Sequence, residues 1–121
     1  MSYISGFVLA VPTARKQDYI DMARKAAEVF KDCGAIRVVE CWGDDVPDGK
    51  VTDFRMAVKA EPDETVVFSW VEWPSREAYD AGNEKMMADE RMQPGAMEVV
   101  FDGKRMIYGG FAPMLDERFG G

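Results

Sequence analysis

Twice in this chain an apolar run ends on a proline, followed at once by a hydroxyl residue and then by an amphipathic stretch. Val11-Pro12-Thr13 and Trp73-Pro74-Ser75 share that order, with the two prolines 62 positions apart. Proline cannot donate to a strand ladder, and a threonine or serine beside it is a preferred helix N-cap. Each site therefore predicts a strand giving way to a helix. Two such units in one chain predict a β-α-β-β-α-β plan of two half-units. The chain has 121 residues, 47% of them hydrophobic, so one domain spanning 1–121 can bury a single core.

The segments between these marks fill in the plan. Tyr3 to Val11 is almost continuously apolar, as a strand covered on both faces is. Thr13 is the expected cap of a helix running to about Lys31. Its apolar stripe is Tyr19, Met22, Ala23, Ala26, Phe30 and Cys33, and Gly34 is placed to end it. Ala35 to Gly43 reads as a second strand, with Ile36, Val38, Glu40 and Trp42 on one side and Arg37, Val39 and Cys41 on the other. Phe54 to Ala60 alternates apolar and polar residues. That alternation predicts an extra strand forming a hairpin with Thr65–Trp73 through Glu61-Pro62-Asp63-Glu64. Ser75 caps a second helix to about Glu90, Gln93 to Val100 is irregular around Pro94-Gly95, and Arg105 to Phe111 supplies the last strand.

The third strand has no hydrophilic side. Val66, Phe68 and Trp70 lie on one face, Val67, Val71 and Trp73 on the other. Two helices cover only one face of a four-stranded sheet, and a large apolar patch left over marks an interface. The expectation is a ferredoxin-like α+β subunit with an antiparallel sheet, paired face to face about a twofold axis as a homodimeric α+β barrel. The tail from Ala112 to Gly121 is placed to reach a partner or to fray.

Charge and residue usage remove whole classes of function. Fifteen basic against twenty-two acidic residues give −7 without a basic run, which argues against nucleic acid and anionic membrane surfaces. No window is long and apolar enough to span a bilayer, and Met1-Ser2-Tyr3-Ile4-Ser5-Gly6 lacks the basic start of a secretory signal. The expected location is the cytoplasm, where Cys33 and Cys41 are reduced, buried and inert. The chain contains no histidine, which removes His-based triads, imidazole metal sites and histidine-held haem.

The chain also resembles the YbaA-like proteins, a bacterial family of unknown function (domain of unknown function 1428). The resemblance rests on Gly6-Phe7-Val8 with Val11-Pro12, on Met22-Ala23-Arg24-Lys25-Ala26 and on Val39-Glu40-Cys41-Trp42. It continues through 45–52, Val67-Phe68-Ser69-Trp70 and 101–111, so it covers nearly the whole chain. It implies membership of the dimeric α+β barrel group, which includes cofactor-free monooxygenases, stress proteins and haem-degrading enzymes. It implies no particular activity.

Candidate ligand-binding residues sit on strand faces that would line a barrel or its mouth: Arg37, Glu40, Trp42, Ser69, Trp70 and Tyr108, with Glu72 beside them. Polar groups in an apolar cavity orient a ligand, and a carboxyl held there has a raised pKa suited to accepting a proton. Glu40 and Tyr108 are accordingly the catalytic candidates. The plainer reading has Arg37 pairing with a carboxylate across the sheet while the tryptophans fill space. A cofactor-free oxygenase would use Trp42, Trp70, Tyr108 and Asn83 to hold an oxidisable phenol, with Glu40 as base.

Other features carry less. Asp44, Asp45 and Asp48 lack the ligand spacing of a calcium loop, and Gly49-Lys50 is not a phosphate loop, so no metal or nucleotide site is expected. The nine methionines suit adaptable packing, and Lys104-Arg105 a solvated turn. The function expected is small-molecule binding or an accessory stress role, without a cofactor. The alternative is a cofactor-independent monooxygenase or isomerase acting on an aromatic or quinone-like compound. A third reading is a solid barrel serving assembly alone.

Overall fold

The computed structural model describes residues 2–120. Strand β1 (Tyr3–Pro12) leads through a 3-10 turn at Thr13–Arg15 into helix α1 (Lys16–Asp32), followed by strand β2 (Arg37–Trp42). A short helix α2 (Phe54–Ala57) precedes strand β3 (Glu64–Trp73). Helix α3 (Arg76–Ala88), 3-10 turns at Glu90–Met92 and Gly103–Arg105, and strand β4 (Ile107–Phe111) complete the chain. The sheet is antiparallel in the order β2-β3-β1-β4. This is the four-stranded ferredoxin-like arrangement expected from the two half-units. Within one chain the sheet is open, with β2 and β4 as its edges.

The second strand-to-helix mark folds as anticipated, since Ser75 accepts a hydrogen bond from the Ala78 amide at 3.0 Å. The first does not. The Thr13 hydroxyl instead meets that of Thr65 at 2.7 Å, and α1 begins three residues later without a side-chain cap. The far end of α1 is tightly closed. Gly34 takes φ +108°, its amide donates to the Lys31 carbonyl at 3.1 Å, and the Ala35 amide donates to Phe30 at 2.9 Å. Those two bonds are the Schellman closure, which places a left-handed residue just past the helix.

The hairpin strand expected over Phe54–Ala60 is absent, because local hydrogen bonding outcompetes the alternating pattern. The Asp53 carboxylate accepts from the amides of Met56 (2.6 Å) and Gly49 (2.9 Å), nucleating α2, and Lys59 then turns the chain with φ +50°. Of the alternating apolar set, Val58 is fully buried, against Ala10 and Val66, while Phe54 and Met56 stay exposed.

The core lies between the helices and one face of the sheet. Tyr3, Val71 and Trp73 pack with Val29, Cys33 and Met86, while Leu9, Val11 and Val67 pack with Tyr19 and Ala23. The opposite face carries Phe68 and Trp70 with ring centroids 5.8 Å apart, and at its β4 edge Ile107 and Phe111, both exposed. Among the described residues, no helix is long and apolar enough to cross a membrane.

Candidate functional site

Strand register divides the expected site residues between the two faces of the sheet. Glu40 pairs with Ser69 and Trp42 with Val67, so Glu40, Ser69 and Trp42 stand on the helix-covered face. Arg37 pairs with Glu72 and Val39 with Trp70, which puts Arg37 and Trp70 on the open face. There Glu72 accepts from the Trp70 indole N–H (3.0 Å) and from Arg37 (3.2 Å). Arg37 thus has the cross-sheet carboxylate of the plainer reading. Trp42 packs against the core beneath Lys16, whose Nζ sits 5.3 Å from its ring centroid. Tyr108, opposite Phe7 on the short edge strand, is exposed. Asn83 lies on α3.

Glu40 and Ser69 meet in a half-open cavity of about 350 Å³ beneath α1. One wall is the α1 stripe of Tyr19, Met22, Ala26 and Phe30. The floor is Phe7, Leu9 and Val71, with Glu40 and Ser69 as its polar atoms. The irregular chain after α3 closes the remaining side through Met92, Met97, Val99 and Phe101. That chain is tied down at both ends. Arg91 pairs with Asp32 on α1 (2.8 Å) and with Asp89, Gln93 Nε2 donates to the Met87 carbonyl (2.8 Å), and Glu98 pairs with Arg15.

The Tyr19 hydroxyl donates to Glu40 Oε1 at 2.7 Å and is the organising contact of the site. Tyr19 is buried, and both that burial and the neighbouring carboxylate raise its pKa, so it stays a protonated donor. Glu40 is exposed to solvent, while protein packed around its carboxyl still removes part of its water. That desolvation raises its pKa above the ordinary carboxylate value, and the hydroxyls of Tyr19 and Ser69 partly offset the rise. A carboxylate offers about four lone-pair directions, so two hydroxyls leave acceptor capacity facing the cavity.

The sequence pattern places Tyr19 in the apolar stripe of α1 and leaves 93–100 irregular, so it marks neither for the site. For Tyr19 one signal was available: a phenol inside an apolar helical stripe needs a polar partner, and Glu40 is a charge on an otherwise apolar strand side. No comparable signal marks 92–101, whose role depends on where α3 delivers the chain. The corresponding revision applies to Lys104-Arg105. Arg105 is no solvated residue, since it forks onto Glu64 at 2.7 and 2.8 Å.

Comparisons with known proteins follow the same line. Residues 2–103 match the family model described as "Protein of unknown function (DUF1428)". The chain is 62% identical over 117 residues to the uncharacterized protein YbaA of Escherichia coli K12, an alignment covering 97% of this chain and all of that one. The YbaA protein of Shigella flexneri matches to the same extent. Among solved structures, a dimeric ferredoxin-like protein from an uncultured marine organism superposes with a TM-score of 0.55. It covers 92% of each chain at 13% identity.

Proposed function

This chain belongs to the DUF1428 family of proteins of unknown function, and from that premise we propose that it is a small-molecule-binding protein whose ligand occupies the cavity beneath α1. The observation that carries the reading is the cavity itself. It has about 350 Å³, within the 300–1,000 Å³ usual for ligand sites, and an almost wholly apolar lining with one hydroxyl–carboxylate cluster.

The oxygenase alternative finds less support, since it needs several aromatic and amide groups around one base. Trp70 faces the opposite side of the sheet, Tyr108 faces solvent, and neither Trp42 nor Asn83 lines the cavity that Glu40 faces.

The test uses N-phenyl-1-naphthylamine, a neutral apolar dye that fluoresces on leaving water. The protein is expected to bind about one dye per chain. Ala26, on the α1 wall, provides the control, since Ala26→Trp fills the cavity from the helix side. That variant should keep the wild-type circular dichroism and bind the dye at least tenfold more weakly. A well-folded Ala26→Trp protein that binds as before would remove the cavity from the reading.

The open sheet face supports a second part of the proposal, that two copies pair through it. Phe68, Ile107 and Phe111 are 46–60% exposed there, and the tail adds exposed Met114, Leu115 and Phe119 beyond β4. Apolar area of this kind on a small domain is normally covered. The solved neighbour is described as dimeric. Phe68→Glu places two like charges at such an interface, so it should sediment at half the wild-type mass. Unchanged sedimentation would move the interface elsewhere.

A further inference from the structure

Resting on the binding reading above, we propose that the cavity selects its ligand by charge and takes an apolar amine, with the protonated nitrogen on Glu40 and the hydrocarbon along the aromatic wall. Three features lead there. Glu40 is the one charged side chain of the lining, and neither lysine nor arginine faces the cavity among the described residues. The carboxylate is already oriented, since Tyr19 holds Oε1 at 2.7 Å and is itself fixed by burial and by Phe101, whose ring centroid lies 6.3 Å away. The body of the cavity is made of aromatic rings and thioethers, from Phe7, Phe30, Phe101, Met22 and Met106.

These features have a common chemical consequence. A carboxylate accepts hydrogen bonds and donates none, so the ligand group that meets it must be a donor. A charged donor gives the shorter and stronger bond, and aromatic faces attract the same cation through their quadrupole. A carboxylic acid of equal length would instead set two negative charges side by side with no cation between them. The chain's overall charge of −7 adds to that exclusion and draws cations toward the protein.

Matched eight-carbon probes read this selectivity directly. At neutral pH, octylamine, 1-octanol and octanoate compete for the site occupied by N-phenyl-1-naphthylamine. Octylamine is expected to displace the dye at a concentration at least tenfold below octanoate, with octanol between them. Glu40→Gln keeps the size and the Tyr19 contact while removing the charge. In that variant, with wild-type circular dichroism retained, the ratio of amine to acid should fall below threefold. Attraction of amines by the acidic surface alone would survive Glu40→Gln, so an undiminished ratio overturns the proposal. So does octanoate competing as well as octylamine in the wild type. A protein that binds the dye and octanol but shows no charge preference retains a binding cavity and loses only its amine specificity. One that binds no dye loses the binding reading as well.

Discussion

Replacing Gly82 with alanine is expected to destabilise the protein by about 3 kcal/mol, although helix propensity alone predicts the opposite sign. Gly82 lies inside α3 with ordinary helical backbone, where alanine is favoured over glycine by about 1 kcal/mol. Packing reverses that preference. A Cβ at this position would stand 2.6 Å from Trp73 Cη2 and 2.9 Å from the Cys33 carbonyl oxygen, both well inside contact distance. Neither neighbour can retreat. Trp73 is fully buried, its indole N–H donates to Ser5 Oγ at 3.0 Å, and the rings of Phe30 and Tyr79 lie 6.2 and 6.1 Å away. The Cys33 carbonyl belongs to the chain reversal that ends α1. Overpacking of a close-fitted core typically costs 1–3 kcal/mol, and here the obstacles are a locked indole and a backbone atom.

Urea denaturation of Gly82→Ala measures the loss, and a second substitution assigns it. Trp73→Phe removes the far ring of the indole, so adding Gly82→Ala to that background should cost at least 1 kcal/mol less than adding it to wild type. A Gly82→Ala protein as stable as wild type would mean that α3 rides farther from β3 than described. The contact also shows why glycine serves at this point: it lets the second half-unit close onto the first, with α3 over β3 and against the end of α1.

The parts of the fold set by short-range chemistry were legible in the sequence. Trp73-Pro74-Ser75 does what its residue types require, and Gly34 ends α1 because no other residue adopts its φ without strain. The two sides of β3 alternate as read, and β2 divides Glu40 and Trp42 from Arg37. The exceptions arise where a long-range partner or a local cap won. Thr65 takes the Thr13 hydroxyl, and only the pairing of β1 with β3 brings those residues together. Asp53 caps a turn of helix where alternation indicated a strand, because a satisfied carboxylate and two amides outweigh a half-buried periodicity. At the site, Glu40 and Ser69 were identified from their strands, but grouping them with Arg37 and Trp70 required both sheet faces to meet in one place. Period-two geometry forbids that within a single subunit. Tyr19, the residue that orients Glu40, is hidden in a helical stripe whose spacing reads as core, although Met22, Ala26 and Phe30 of the same stripe also face the cavity.

Removing the guanidinium of Arg105 is the second large loss expected, and its pH dependence identifies the cause. Arg105 binds both oxygens of Glu64, donates to the Lys59 carbonyl at 2.8 Å and to Asp102 at 3.0 Å. It fastens the turn before β4 to the start of β3. Glu64 is buried, and removing one partner of such a pair strands a charge, at a cost of about 3 kcal/mol. Arg105→Ala should therefore lose about that much at pH 7. The hydrogen bonds from Arg105 hold the Glu64 pKa below its usual value, against the opposing pull of burial. A carboxyl with a depressed folded-state pKa contributes stability above its unfolded value, near 4.3, and loses it as the pH falls through the folded one. In Arg105→Ala the burial remains without its main counterweight, so Glu64 shifts upward and its protonation relieves the variant as acid is added. The gap between the two proteins should thus shrink from about 3 kcal/mol at pH 7 to about 1 kcal/mol near pH 3, the remainder reflecting the lost bond to Lys59. Urea midpoints at the two pH values decide the point. A gap of equal size at both would show that Arg105 acts through packing of its stem, with the Glu64 charge contributing nothing.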